Sequence, residues 1–452
     1  MRTRATWATV RGRTLAGLAG LAAVALAGTL GACGSGFSPV VTKAGSPATP
    51  SADPSEVDVL TWWNYGAAEK SSREGIERLF AERFPATRYV DRWVDGEEYS
   101  TQGVMERVER DRGLVDVYQT WSDDVWRMDD DSGQAQDISA LYDELGLRDV
   151  IPAGALDRLT VDGKIYRVSL VVSRANVLWS DRRVLVDAGL DPDATYGSVD
   201  EWIAALRAVR AAGEQPLVLG AWWTRQLLLD DILLSELGRD AYTGLWDGRT
   251  SWDGADVRRA FADFETVVGL ARDPDLGADW PQLADRLVDH EAAFLVTGDW
   301  AEARFVSAHR ARGVDYDAVA MPGTDGTFLA GWGSADFAMR AGAPHPDGAR
   351  AWLGLVASRE VQGEVAATLG QLPVRTDVDP SGFDDYMREE MTSWREDAIV
   401  SSLTMGGVLD HDGQIAVDDA ATTYLRHTID VQGLRARIAA AVAAVRLRSA
   451  GS

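Results

Sequence analysis

The most constraining feature of this chain is a run of alternating elements that begins near residue 57. Val57-Asp58-Val59-Leu60 alternates apolar and polar residues, the period of a half-buried strand, and runs into Trp62-Trp63. From about Lys70 to Phe84, Ile76, Leu79, Phe80 and Phe84 fall on one helical stripe, which stops before Pro85. Arg88 to Val94 reads as a second strand and Glu97 to Arg110 as a second helix. Val115 to Tyr118 reads as a third strand, leading into Gln119-Thr120-Trp121. Strand, helix, strand, helix, strand predicts a parallel sheet with crossover helices, an α/β fold. Ligands of such sheets bind beyond the carboxyl ends of the strands. Trp62-Trp63 and Gln119 to Trp121 stand at those ends.

The remainder alternates β-rich and helical blocks. Gly163 to Trp179 is extended and rich in Val and Leu, a connection between lobes. Helices are expected over Val199–Ala211, Thr224–Leu237, Ala255–Leu270 and Trp280–His290. A strand at Ala292–Val296 leads into Gly298-Asp299-Trp300, where a helix begins, and strands return at Val314–Ala320 and Phe328–Met339. Helical stretches near Pro346–Ser358, Arg359–Leu369, Asp384–Arg395 and Gly413–Val445 close the chain, the last interrupted around Asp430 to Gly433. About 390 residues exceed what one hydrophobic core serves, so two lobes are expected. The reading assigns residues 56–175 and about 298–342 to the first, and about 176–297 and 343–448 to the second.

Arg2, Arg4, Arg11 and Arg13 precede an apolar run from Leu15 to Leu30 that ends at Leu30-Gly31-Ala32-Cys33. The run has signal-peptide length and is short for a membrane span. Cys33 is the only cysteine, so internal disulfides are ruled out. Small residues before it resemble the lipobox of bacterial lipoproteins. Residues 1–32 are therefore expected as a signal peptide, Cys33 as the lipidated residue, and residues 33–55, poor in apolar bulk, as a flexible tether. Two or more acyl chains give stable anchoring at the membrane.

The formal net charge is −25, and near −29 without residues 1–32. Such a surface repels phosphate backbones and anionic lipid, which argues against nucleic-acid partners and leaves the anchor to hold the membrane. Seventeen tryptophans are present, sixteen of them beyond the signal. An indole offers a broad apolar face and one N–H donor. Aromatic platforms with polar side chains suit a sugar, with its apolar C–H faces and hydroxyl rim.

Catalytic signatures are absent: no G-x-S-x-G, H-E-x-x-H, Walker loop or G-x-G-x-x-G occurs. Five histidines match no zinc spacing, and Asp129-Asp130-Asp131 lacks the later ligands of a calcium loop. Acidic pairs such as Asp123-Asp124, Asp230-Asp231 and Asp384-Asp385 carry no weight in a chain with 70 acids. No metal and no cofactor are expected.

Strand–Trp62-Trp63–helix, Asp116 to Gln119, Arg174 to Trp179 and Gly298-Asp299-Trp300-Ala301, in this order, resemble the extracellular solute-binding proteins of ABC sugar importers, most closely the glucose- and mannose-binding group. The resemblance covers Val57 to about Val445. It implies a periplasmic-binding-protein-like fold with two α/β lobes, a hinge and a central cleft that closes on one sugar. It implies membrane permease subunits as partners, a monomer, and no enzyme activity. Carried over, Trp62 and Trp63 match aromatics that enclose the sugar, Gln119 an amide that bonds a hydroxyl, and Asp299 a carboxylate that accepts two hydroxyl donors. Glu69 lies where a further acid is sometimes found, while Trp223 and Trp332 are site candidates by position. Trp121, Leu369 and Met405 replace a His, a Lys and a His of the glucose binders, so the resemblance implies a different sugar with an apolar edge; Trp121 and Met405 join the candidates. A sensing or surface-interaction lipoprotein that no longer transports, and an anchored glycoside-active enzyme, stand as alternatives.

Overall fold

The computed structural model describes residues 56–61, 63, 67–93, 110–111, 114–120, 134–271, 276–331, 335–405 and 407–451. The expected signal, tether, Cys33, residues 97–109 of the expected helix Glu97–Arg110, Asp129 to Asp131, Trp62, Trp121 and Trp332 lie outside them. Strands follow in chain order: β1 Glu56–Thr61, β2 Arg88–Trp93, β3 Val117–Thr120, β4 Thr160–Val161, β5 Lys164–Ile165, β6 Arg167–Ser169, β7 Val171–Arg174 and β8 Val177–Asp181. They continue as β9 Phe294–Val296, β10 Tyr316–Ala320, β11 Thr327–Gly331, β12 Asp336–Met339, β13 Leu372–Pro373 and β14 Ala398–Ser401.

The first sheet has the order β2-β1-β3-β12-β6. β1 pairs parallel with β2, Glu56 opposite Arg88 through Thr61 opposite Trp93, and parallel with β3. β12 then runs antiparallel to both β3 and β6. The helix Ala67–Arg83 makes the β1–β2 crossover and buries Ile76 and Phe80. The helix Pro346–Val356 packs on β1 and β12, and Arg359–Leu369 on Ala67–Arg83. Trp352 lies stacked on Tyr89 at 5.1 Å and tilted against Phe80 at 5.4 Å, while Phe337 meets it edge-on.

Two smaller sheets, β10-β8-β9 and β13-β7-β11-β14, serve both hydrophobic cores. Successive strand residues face opposite sides: Val177 and Trp179 join the first core while Leu178 joins the second, and Phe328 and Ala330 flank Leu329 in the same way. The second core is mainly helical. In Val199–Ala212, Trp202, Leu206 and Val209 form the buried stripe; Ser198 caps its start and Gly213, at φ 97°, its end. The helix Trp222–Asp247 contains a break at Gly238, whose φ of 70° and ψ of 165° leave the helical region. The helix Ala255–Leu270 buries Phe261, Phe264 and Val267, and helices His411–Leu425 and Val431–Gly451 pack as a pair.

Helices Pro346–Val356, Arg359–Leu369 and Asp385–Glu396 bury Trp352, Val361, Val365, Tyr386 and Trp394 in the first core, with β1 and β3. Their apolar stripes could have met either core, and only the path of the chain settles which. The extended run Gly163–Trp179 and the expected strand Phe328–Met339 are divided among several sheets. Among the described residues, no helix is long and apolar enough to cross a membrane, and no group of three or more His, Cys, Asp or Glu is placed to hold a metal.

Burial lifts the carboxyls of Asp58 and Glu302 to about 7 and those of Asp230 and Asp336 to about 6. Unfolded carboxyls titrate near about 4. Between these values the native chain holds protons that the unfolded chain has released, so stability falls as pH rises through the window. We expect a melting temperature several degrees higher at pH 5 than at pH 8, read by circular dichroism. A flat or rising profile would contradict it.

Candidate functional site

The ends of the strands carry two groups of side chains, the first of them at ends named from the sequence. At the end of β1, the Thr61 hydroxyl donates to the Gln119 side-chain carbonyl on β3 and accepts from the Trp63 backbone N–H at 3.1 Å. Gln119 is fully buried. Trp63 is 1% exposed, its ring edge-on to Phe337 at 6.1 Å, and Arg73 Nε holds its carbonyl at 3.2 Å. Trp63 is thus turned into the core. Glu69 is half-buried in the first turn of Ala67–Arg83, where the helix dipole favours an acid.

The second group sits where β9, β11 and β14 end. After β9 the chain passes through Gly298 into a 3-10 turn, Asp299–Ala301, and the short helix Glu302–Ser307. A Cβ on Gly298 would come 2.1 Å from the Trp300 ring, and one on Gly331, at the end of β11, 3.6 Å from it. The first distance is a clash and the second an ordinary contact, so it is Gly298 that lets the Trp300 indole lie against bare backbone. Asp299 is 0% exposed; one carboxyl oxygen accepts from the Arg174 backbone N–H at 2.8 Å, and the other has no partner. Burial pushes this carboxyl well above the usual carboxylate range, opposed by the Arg174 amide and the Ser173 hydroxyl. Asp299 caps no helix, since Gly298 and Ala301 occupy the cap positions.

Arg174 is held from every side: Nη1 by Glu390 at 3.1 Å, Nη2 by the Thr327 carbonyl at 3.1 Å and Nε by Asn176 at 3.2 Å. The amide that meets Asp299 is therefore fixed in place. Trp223, at the start of Trp222–Asp247, lies 6.4 Å from Trp300 between ring centres and donates Nε1 to Asp279 at 2.8 Å. Met405 is half-buried in the turn after β14, its N–H on Ser402 Oγ at 2.9 Å. Leu369, a further departure noted above, packs on the first core.

Several contributors escaped the sequence reading. Asp230, dismissed as one of many acidic pairs, is fully buried and accepts from Tyr242, from Ser402 Oγ at 2.6 Å and from Leu403 N at 2.8 Å. It fixes the turn that carries Met405. Arg158 donates to the Gly407 carbonyl at 3.2 Å in the same turn. The helical period around Leu227 to Leu234 could have flagged Asp230 as lying on a buried face; nothing local signals Arg158.

Chemically, the second group offers indole faces, hydroxyls and one buried carboxyl oxygen without a donor, a set suited to a polyhydroxylated molecule. A groove of about 400 Å³ elsewhere, between Arg359–Leu369 and the turn to Phe383, has Arg359 paired with Asp377, Glu360 with Arg83 and Glu364 with Arg78.

The family model described as bacterial extracellular solute-binding protein matches residues 58–363. An uncharacterized ABC transporter extracellular-binding protein of Pyrococcus horikoshii is 22% identical over 377 residues, which cover 81% of this chain and 84% of that protein. A probable sugar-binding periplasmic protein of Mesorhizobium japonicum is 28% identical over 261 residues, 56% of this chain and 60% of that protein. Among solved structures, a chitin oligosaccharide binding protein superimposes with a TM-score of 0.71 at 17% identity, covering 86% of this chain and 99% of that one, so the two share a fold.

Proposed function

The chain belongs to the bacterial extracellular solute-binding protein family, and from that premise we propose that it captures a mono- or small oligosaccharide between two lobes and delivers it to a membrane permease. The observation that carries the reading is Asp299: a fully buried carboxyl with one oxygen on a fixed amide and the other without a partner, beside Trp300. An unsatisfied buried acceptor costs free energy, which a ligand hydroxyl repays. The name of the Mesorhizobium relative, a probable sugar-binding protein, supports the same ligand class.

In this reading Trp62, Trp121 and Trp332 supply aromatic faces to the sugar, with Trp223, Gln119, Glu69 and Met405 around them, while Trp63 serves the core. The ligand stabilises a closed form by touching both lobes at once. The protein works as a monomer, held on the extracytoplasmic face by lipid on Cys33, and it converts nothing. Calorimetric titration of the purified protein with mono- and oligosaccharides should give saturable one-to-one binding, a change in tryptophan fluorescence and no consumption of the sugar. Silence with every sugar, or the release of shortened products, overturns the reading.

A further inference from the structure

Four arginines are buried among the described residues: Arg73, Arg167, Arg174 and Arg225. Three stand beside carboxylates, Arg73 with Glu77 and Asp91, Arg167 with Asp336 at 3.0 Å, and Arg174 with Glu390 at 3.1 Å. Arg225 differs. It is 5% exposed, its Nε donates to the Gly220 carbonyl at 3.0 Å, and its Nη2 has no partner. A buried cation without a counter-charge is costly in a fold, the more so in an acidic chain that pairs the other three.

Its position gives that cation a use. Arg225 lies in the first turns of the helix Trp222–Asp247, whose N-cap, Ala221, supplies no side-chain acceptor. The bond from Nε to the Gly220 carbonyl brings the guanidinium to the start of this helix, where the dipole is positive; of the first N–H groups, that of Thr224 is taken by the Ala221 carbonyl at 3.1 Å. Gln226, 1% exposed, adds a further donor: its Oε1 is taken by Trp222 Nε1 at 2.9 Å, while its Nε2 has no partner. The acceptors close by are engaged. The Gly220 carbonyl serves Arg225, the Ala278 carbonyl serves the Ala221 amide, and Asp279 Oδ1 serves Trp223 and the Trp280 amide. Donors without acceptors at a helix N-terminus are the arrangement that binds an oxyanion.

We infer that this turn reads a carboxylate on the sugar, so that the ligand class is a uronate-bearing saccharide, its hydroxyls at Asp299 and its acid group at Arg225 and Gln226. The inference rests on the sugar-binding reading above. Trp223 links the two places, one residue from Trp222 on the helix and in ring contact with Trp300. The guanidinium Nη2 matches a carboxylate in charge, and the Gln226 amide adds a neutral donor. The acidic surface opposes an anionic ligand at long range, but that field is screened beyond about 10 Å whereas the buried donors act at contact.

The test is calorimetry on the full-length protein in detergent, with oligomers of galacturonate, glucuronate and mannuronate, each paired with its methyl ester, and with neutral oligosaccharides. One uronate is expected to bind at least roughly tenfold more tightly than its ester, a charge-assisted bond being worth that much. Arg225→Gln should remove the difference and leave ester binding nearly unchanged, while Arg225→Lys should restore part of it. Neutral sugars or esters binding as tightly as every uronate, or a preference that survives Arg225→Gln, overturns the inference and leaves the sugar reading standing. Failure of all sugars, charged and neutral, overturns both. Should Arg225→Gln not fold, the acid-against-ester comparison on the unaltered protein decides alone.

Discussion

Asp299→Ala is expected to weaken sugar binding by at least about 100-fold, the value of two charge-assisted hydrogen bonds to ligand hydroxyls. The residue is fully buried, and one of its two carboxyl oxygens is committed to the Arg174 amide. The committed oxygen orients the free one, and the network around Arg174 keeps that amide from following a moving ligand. Truncation also strips the amide of its acceptor, so Asp299→Asn is the control. It keeps the volume and one acceptor for Arg174 while losing the charge. If the carboxylate binds hydroxyls, Asn should fall between wild type and Ala in affinity, with a melting temperature near wild type. The carboxyl is held well above the usual range by burial. Raising the pH favours the acceptor-only form, so affinity should strengthen as pH increases. Unchanged affinity in Asp299→Ala would remove this residue from the site.

The second large effect concerns stability. Asp230→Ala should cost on the order of 3 kcal/mol, because it leaves several buried donors unpaired at once. Tyr242 OH, Ser402 Oγ and the Leu403 amide all end on this one carboxyl, which ties the helix Trp222–Asp247 to the turn after β14. Its neighbour provides an internal contrast. Asp231 is equally buried, neither of its oxygens has a partner, and burial together with Asp230 pushes its carboxyl well up. Removing an unpaired buried polar group relieves a desolvation cost instead of creating one. Asp231→Ala should therefore be nearly neutral or stabilising, and Asp230→Ala clearly destabilising, in thermal melts at one pH. Equal losses at the two positions would show that helix packing, not the hydrogen-bond bracket, sets the cost. Two cores make a single all-or-none transition unsafe to assume, so midpoints at more than one wavelength are the measure to compare.

Much of the fold was legible because it is written in short-range periodicity. Ala255–Leu270 takes the bounds its apolar stripe predicts, and Val199–Ala212 begins and ends at its Ser198 and Gly213 caps. The expected helix Thr224–Leu237 ends at the glycine that does interrupt it, but the structure carries a further helical stretch to Asp247 beyond Gly238. The region proposed for the site rests on a different ground: in a sheet with crossover helices, ligands meet the strand ends.

What the amino-acid order determined by itself was therefore the α/β alternation, the helical stripes and their caps, and the strand ends where chemistry could gather, since each depends on residues a few positions apart. The tertiary structure alone decided that Trp63 turns into the core, that Asp299 meets the Arg174 amide, that Asp230 is a bracket while Asp231 stands unpaired, and that Arg225 lacks, among the described residues, the carboxylate its buried counterparts have. Asp299 and Arg174 stand 125 positions apart and Asp230 and Ser402 172, and the other outcomes turn on burial that such long-range contacts create. No local pattern records them, because a side chain's partner is set by which surfaces the folded chain brings together.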